Sequence, residues 1–151
     1  MITVSDTRTL QTDESGQEMV RQLEAAGHRV VERTVVPDEP SRIAFILRHW
    51  LASDVHAVLL NGGTGIAARD GTVEVVRQFL QKEIPGFGEL FRMLSYEQVG
   101  AASMLSRAVG GIASGKAVFS LPGSRRAVEL GMAKLVVPEL RHVVYEIQRQ
   151  A

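Results

Sequence analysis

A glycine-rich turn and two acidic residues carry the most visible chemistry in this chain. Asn61-Gly62-Gly63-Thr64-Gly65 follows the apolar run Ala57–Leu60, and Asp70-Gly71-Thr72 opens an amphipathic stretch. Gly62, Gly63 and Gly65 permit positive φ, a backbone form in which successive N–H groups face an anion. Asp70 follows closely enough for its carboxylate to share a Mg²⁺ with that anion. Ser5-Asp6, Asp38 and the Pro122-Gly123-Ser124 turn end three other predicted strands. In open α/β sheets ligands bind outside the carboxyl ends of the strands, so these four segments point to one rim that gathers phosphate and metal. Each piece also has a plainer reading. The glycines can be an ordinary turn, Asp38, Asp70 and Ser124 can be helix N-caps, and Asp6 can stabilise its own loop. Arg125-Arg126 either meets a phosphate at a strand end or is solvated surface.

Sharper signatures are missing. Gly115-Lys116 lacks the upstream glycine spacing and the following Ser/Thr of a P-loop. No GxGxxG or GxSxG occurs, and His28, His49, His56 and His142 have no ligand spacing for zinc.

The elements that must position these residues alternate in type. Ile2–Val4, Val30–Val36 and Ala57–Leu60 read as strands. A helix begins at Asp13 or Ser15, with Ser15 and Glu18 at capping-box spacing, and stops at Gly27. A second opens after Pro37-Asp38-Glu39 and places Ile43, Ile46, Leu47, Trp50 and Leu51 on one face. A third spans about Thr72–Gln81. After the break at Ile84-Pro85-Gly86, Phe87, Leu90, Phe91 and Leu94 mark a fourth, with Phe87, Phe91 and Met93 as core or subunit contact. Ala108–Ile112 and Lys116–Leu121 form a predicted hairpin around Ala113-Ser114-Gly115. A helix then runs from the Pro122-Gly123-Ser124 cap to about Leu135, and Pro138 starts the last. Strands alternating with helices predict an α/β fold with a mainly parallel sheet and one antiparallel strand near an edge.

Bulk properties exclude several classes. The 151 residues suit one domain, with 45% hydrophobic residues to build its core. Seventeen basic and seventeen acidic residues cancel, so no nucleic-acid groove is indicated across the whole chain. There is no cysteine, hence no disulfide framework or thiolate chemistry. No apolar run approaches the ~20 residues of a membrane span, and the N-terminus lacks signal-peptide sections. Cytoplasm is the expected location.

An ordered set of motifs resembles the MoaB/MogA family of molybdenum cofactor biosynthesis. It comprises TVSDTR at Thr3–Arg8, DESG at Asp13–Gly16, VPDE at Val36–Glu39, and NGGTG followed by RD at Arg69-Asp70. KEIPGFGELFRMLSYEQVG at Lys82–Gly100, SMLSRA at Ser103–Ala108 and LPGS at Leu121–Ser124 complete it, and the long segment is closest to the MoaB branch. The resemblance implies a three-layer α/β/α domain over residues 1–151 that forms trimers or, as a dimer of trimers, hexamers. It also implies Mg²⁺-dependent adenylylation of molybdopterin by ATP, with pyrophosphate released and the product passed to a metal-insertion protein. The alternative is a catalytically weak pterin-binding or scaffolding oligomer of the MoaB type.

In that scheme Asp38 and Asp70 match the family's two functional aspartates and hold the metal. Ser5, Asp6, Gly62, Gly63, Thr64 and Gly65 meet the nucleotide phosphates. Ser106, Arg107, Pro122, Gly123 and Ser124 are the expected pterin contacts. Two stretches depart from the family pattern: Arg69–Glu74 reads RDGTVE in place of RDVTPE, and Leu121–Ala127 reads LPGSRRA in place of LPGSPNA.

Overall fold

Strand side chains that alternate in direction between two apolar layers give this chain its three-layer form. In β3 (Ala57–Asn61) and β6 (Lys116–Leu121), Val58, Leu60 and Val118 face one core, while Leu59, Ala117, Phe119 and Leu121 face the other. Both faces are covered, as parallel strands require. The computed structural model describes residues 1–149.

The remaining elements are β1 (Ile2–Val4), α1 (Glu14–Ala25), β2 (Thr34–Val36), α2 (Pro40–Leu51), α3 (Thr72–Phe79), β4 (Lys82–Glu83), α4 (Pro85–Val99), β5 (Val109–Ala113), α5 (Arg125–Gly131) and α6 (Val137–Gln148). The sheet order is β2-β1-β3-β6-β5-β4. Four neighbours run parallel, and β5 is antiparallel to both β6 and β4. From β1 the chain goes out to the edge strand β2 and returns to β3 on the other side of β1. That reversal makes the carboxyl ends of β1 and β3 a topological switch point, the usual place for a ligand crevice in such sheets.

α2 and α3 cover one face. Ile43, Leu47, Trp50 and Leu51 are buried against Val73 and Val76, as the period of α2 predicts, with Ile46 half-buried at the margin. α1, α4, α5 and α6 cover the other, around Met19, Phe91, Met132 and Leu140. Phe87 packs on Phe119 with ring centroids 4.9 Å apart.

Several expectations are corrected. The second strand is only Thr34–Val36, because residues 28–33 pair with no neighbour along the ladder. The two-residue β4 is additional: Gln81 and Ile84 N–H donate to Ile112 and Gly110 carbonyls, holding Lys82–Glu83 against β5. The Ser15/Glu18 capping box does not form. Asp13 caps α1 by accepting from Gly16 N–H at 2.9 Å, Ser15 bonds elsewhere, and Glu18 is forked by Arg21 and Gln22. Leu90 and Met93 are exposed, whereas Phe87 and Phe91 are core. The last two helices are joined through a π-helical turn, Met132–Val136. Val137 N–H donates five residues back to Met132 O, and Pro138, which has no N–H, follows directly. The wider turn absorbs the hydrogen bond that proline cannot make.

Candidate active site

The end of β3 sets the geometry of the glycine turn. Gly62 N–H donates to Leu121 O at 3.0 Å, which continues the β3–β6 ladder one step beyond the strand. The chain then turns through positive φ at Gly62 (+95°) and Gly63 (+63°). A Cβ at Gly62 would lie 2.1 Å from Val4 O, and one at Gly63 would lie 2.2 Å from Thr72 Oγ1. Both positions therefore require glycine on two counts, conformation and space. Gly65, expected to share the left-handed form, does not adopt it. Thr72 N–H returns to Gly63 O at 3.1 Å and fastens the start of α3 to the turn.

The two aspartates flank this turn. A Cβ built on Gly63 would stand 2.7 Å from Asp38 Oδ2, and one on Gly65 would stand 2.5 Å from Asp70 Oδ2. Neither aspartate is the N-cap of a helix. Glu39 precedes α2 and Gly71 precedes α3. Asp38 Oδ1 accepts from Gly71 N–H at 3.3 Å, and Asp70 Oδ2 accepts from Ala67 N–H at 2.8 Å. Asp6 Oδ1 accepts from Asp38 N–H at 3.0 Å, and Arg69 grips both Asp6 oxygens at 2.9 and 3.0 Å. Burial raises the Asp38 carboxyl above the ordinary range, and the nearby Asp70 and Asp6 charges push it the same way, against Gly71 N–H and Arg69. An acidic group so placed gains from a cation.

A cavity of ≈ 780 Å³ opens beside the turn. Ser5, Gly62 to Gly65, Asp70, Ser106 and the Pro122-Gly123-Ser124 turn all line it, while Asp6, Asp38 and Arg107 do not. Ser5 Oγ accepts from Thr7 and Arg8 N–H and so shapes the loop after β1. Ser106 Oγ is buried without a hydrogen-bond partner, a hydroxyl with capacity in reserve. Arg107 is turned to the back of the turn. Its guanidinium donates to Thr64 O at 3.3 Å and Asp70 O at 3.0 Å, and it pairs with Glu74, whose carboxyl it lowers. In this position Arg107 braces the loop. Ser124 caps α5 by accepting from Ala127 N–H at 3.2 Å.

Residues not singled out beforehand fasten the floor. Thr3 Oγ1 stands 2.7 Å from Asp13 Oδ2 and 2.8 Å from Asn61 Oδ1, and all three residues are buried. This polar link ties α1 to β1 and β3 beneath the turn. Ser15 Oγ donates to Gly123 O at 2.8 Å. A Cβ at Gly123 would meet Gly62 Cα at 3.1 Å, so the turns after β3 and β6 touch backbone to backbone. The sequence signal for these roles was membership of the TVSDTR, DESG, NGGTG and LPGS motifs. A second cavity of ≈ 500 Å³ lies at the opposite ends of the strands, beside Trp50 and His56, and holds none of the predicted site residues.

Residues 1–142 match the family described as a probable molybdopterin binding domain. The molybdenum cofactor biosynthesis protein B of Halalkalibacterium halodurans is 53% identical over 97% of this chain and 88% of its own length. A crystal structure of a molybdenum cofactor biosynthesis protein B superposes with a TM-score of 0.93 at 51% identity, covering 98% of this chain and 93% of the other. The tungsten cofactor synthesizing protein MoaB from Pyrococcus furiosus superposes at 0.87 with 37% identity, over 97% of this chain and 94% of its own.

Proposed function

This chain belongs to the molybdopterin-binding domain family of molybdenum cofactor biosynthesis proteins, and we propose that it adenylylates molybdopterin with ATP and Mg²⁺. The terminal phosphate of the pterin attacks the α-phosphorus of ATP, one oxygen–phosphorus bond forms, and the bond to pyrophosphate breaks. The observation that carries this reading is the glycine turn at the sheet's switch point, with Asp70 against Gly65 and lining the cavity, and Asp38 against Gly63 behind it.

The residues fit the chemistry. The phosphate nucleophile is already anionic, so no protein base is required. Main-chain N–H groups of Gly63, Thr64 and Gly65 receive nucleotide phosphates, the Gly62 N–H being held by Leu121 O, with Ser5 and Asp6 shaping the adjoining loop. Asp38 and Asp70 would hold Mg²⁺, an ion that keeps several waters and accepts one or two carboxylates plus substrate phosphate. When bound, the ion neutralises charge developing on the α-phosphate and on pyrophosphate. Ser106 and the Pro122-Gly123-Ser124 turn meet the pterin, and Arg107 positions the loop that carries Asp70. The fit of Asp38 to a cation rests on its own environment, where burial and neighbouring acids disfavour a bare carboxylate.

Leu90, Met93, Tyr96 and Val99 recur every third residue on the exposed side of α4, and Met104 and Leu105 extend that apolar surface. Exposed apolar side chains of this kind, winding round α4, support assembly into the trimer or hexamer that the family resemblance implies. They equally favour the second reading, a pterin-binding scaffold with weak catalysis. In either case the product or bound pterin passes to a metal-insertion protein in the cytoplasm. Among the described residues no helix is long and apolar enough to cross a membrane.

The test is incubation of the protein with ATP, molybdopterin and Mg²⁺, following formation of adenylylated pterin. Wild type is expected to make it, and Asp70→Asn to reduce the rate by roughly 10²-fold or more, the scale seen when one stabilising group at a charged transition state is lost. An Asp70→Asn variant with full activity removes the metal-holding role. Wild type that binds pterin without turnover establishes the scaffold.

A further inference from the structure

Charged groups of both signs, among them Arg8, Asp13 and Glu14, line the cavity beside the glycine turn. At the turn itself the side is acidic, with Asp70 lining the cavity and Asp38 and Asp6 behind the turn. On the side of β6 stand Arg125 and Arg126, directly after the Ser124 cap. Their situations differ. Arg125 is neutralised by Glu129, with Nε 2.9 Å from Oε1. Arg126 lines the same cavity and has neither an ion pair nor a side-chain hydrogen bond among the described residues. Ser106 lines it too, with its Oγ buried and unpartnered. Arg126 thus brings an unpaired guanidinium to the lining of this space. Nothing in the fold of α5 requires an arginine at an exposed position of its first turn.

We propose that Arg126 is a specificity-determining residue that reads the bare phosphate monoester of the acceptor substrate; the inference rests on the pterin reading above. Adenylyl transfer brings two phosphate groups of different character into one cavity. The nucleotide's phosphates arrive with Mg²⁺, which suits the acidic side. A phosphate monoester carries close to two negative charges near pH 7 and no metal of its own. It is repelled by the acidic side and matched by a guanidinium, which pairs with phosphate in a planar fork. Arg126 on the β6 side therefore orients the acceptor, phosphate inward, and discriminates against the same pterin without its phosphate.

The experiment measures binding of molybdopterin and of dephosphorylated molybdopterin to the full chain, for wild type, Arg126→Met and Arg126→Lys. Wild type is expected to prefer the phosphorylated form by about tenfold or more, the scale of one charge-assisted hydrogen bond. Arg126→Met is expected to lose that preference while binding the dephosphorylated form as before, and Arg126→Lys to restore part of it. An Arg126→Met protein that keeps the full preference overturns the inference, as does a wild type that binds both forms equally; the pterin reading survives both. A wild type that binds neither form overturns the pterin reading and this inference with it. Because Arg126 is exposed, unchanged melting of the variants is expected and verifies that the comparison is made on folded protein.

Discussion

Replacing Gly62 with alanine tests whether the glycine turn is held by close packing or merely by backbone preference. Gly62 has φ = +95°, and an added Cβ would lie 2.1 Å from Val4 O and 3.1 Å from Val4 C. Placing a non-glycine residue at positive φ costs about 1–2 kcal/mol. A contact of 2.1 Å is more than an ångström too close, and the obstructing atom is main chain in β1, whose next residue is fixed by Ser5 N–H donating to Val36 O at 2.9 Å. Relief means moving β3 from β1 at the switch point, an overpacking strain of about 1–3 kcal/mol more. The sum is about 2–5 kcal/mol. Gly115 supplies the control, since it has φ = +69° in the β5–β6 hairpin and nothing within 4 Å of an added Cβ. Gly115→Ala is expected to carry only the conformational part, about 1–2 kcal/mol. In urea titrations the midpoint should fall further for Gly62→Ala with slopes unchanged. In thermal melts each kcal/mol corresponds to about 2–4 °C for a domain this size. Two variants that agree within about 0.5 kcal/mol would refute the claim that the turn is wedged against β1.

Two other outcomes follow from the same site. Asp38→Asn is expected to raise the melting temperature at pH 7 and to match wild type near pH 3. Its carboxyl is raised in the folded state, so the ionised form weighs against folding once pH climbs through the ordinary aspartate range and past the folded value; a less stable Asp38→Asn at pH 7 contradicts this. Ser15→Ala removes the 2.8 Å bond to Gly123 O and is expected to lower stability by about 1–3 kcal/mol in denaturant titrations, whereas an unchanged midpoint would show that the clamp carries no stability.

Local signals were legible wherever one segment decided its own conformation. The 3.6-residue period of α2, the glycines after β3 and the hairpin around Ser114-Gly115 all appear in structure much as the sequence reads. The errors fall where distant segments compete for a group. Ser15 and Glu18 have the spacing of a capping box, but Gly123, 108 residues away, takes the serine hydroxyl, and Arg21 takes the carboxylate. Residues 30–33 are as β-branched as a strand needs, yet only Thr34–Val36 finds a partner in β1. Lys82–Glu83 has no strand composition at all and is paired by its position against β5. In the site, the residue types raised the expectation of phosphate and metal chemistry, but not the arrangement that would serve it. The closeness of Asp38 to Gly63, the polar link of Thr3, Asp13 and Asn61, and the rearward direction of Arg107 depend on segments more than 20 residues apart, or on the turn joining β1 to α1. No periodicity encodes them.

The sheet's two margins are occupied by its shortest strands, three residues in β2 and two in β4. A margin is where unpaired main-chain groups invite another molecule to add a strand and begin a fibril. At β4 the residues offered are Lys82 and Glu83, both exposed and charged, and at β2 the run ends at Pro37. Neither margin is long enough to template a growing stack, so concentrated solutions should resist amyloid-type deposition.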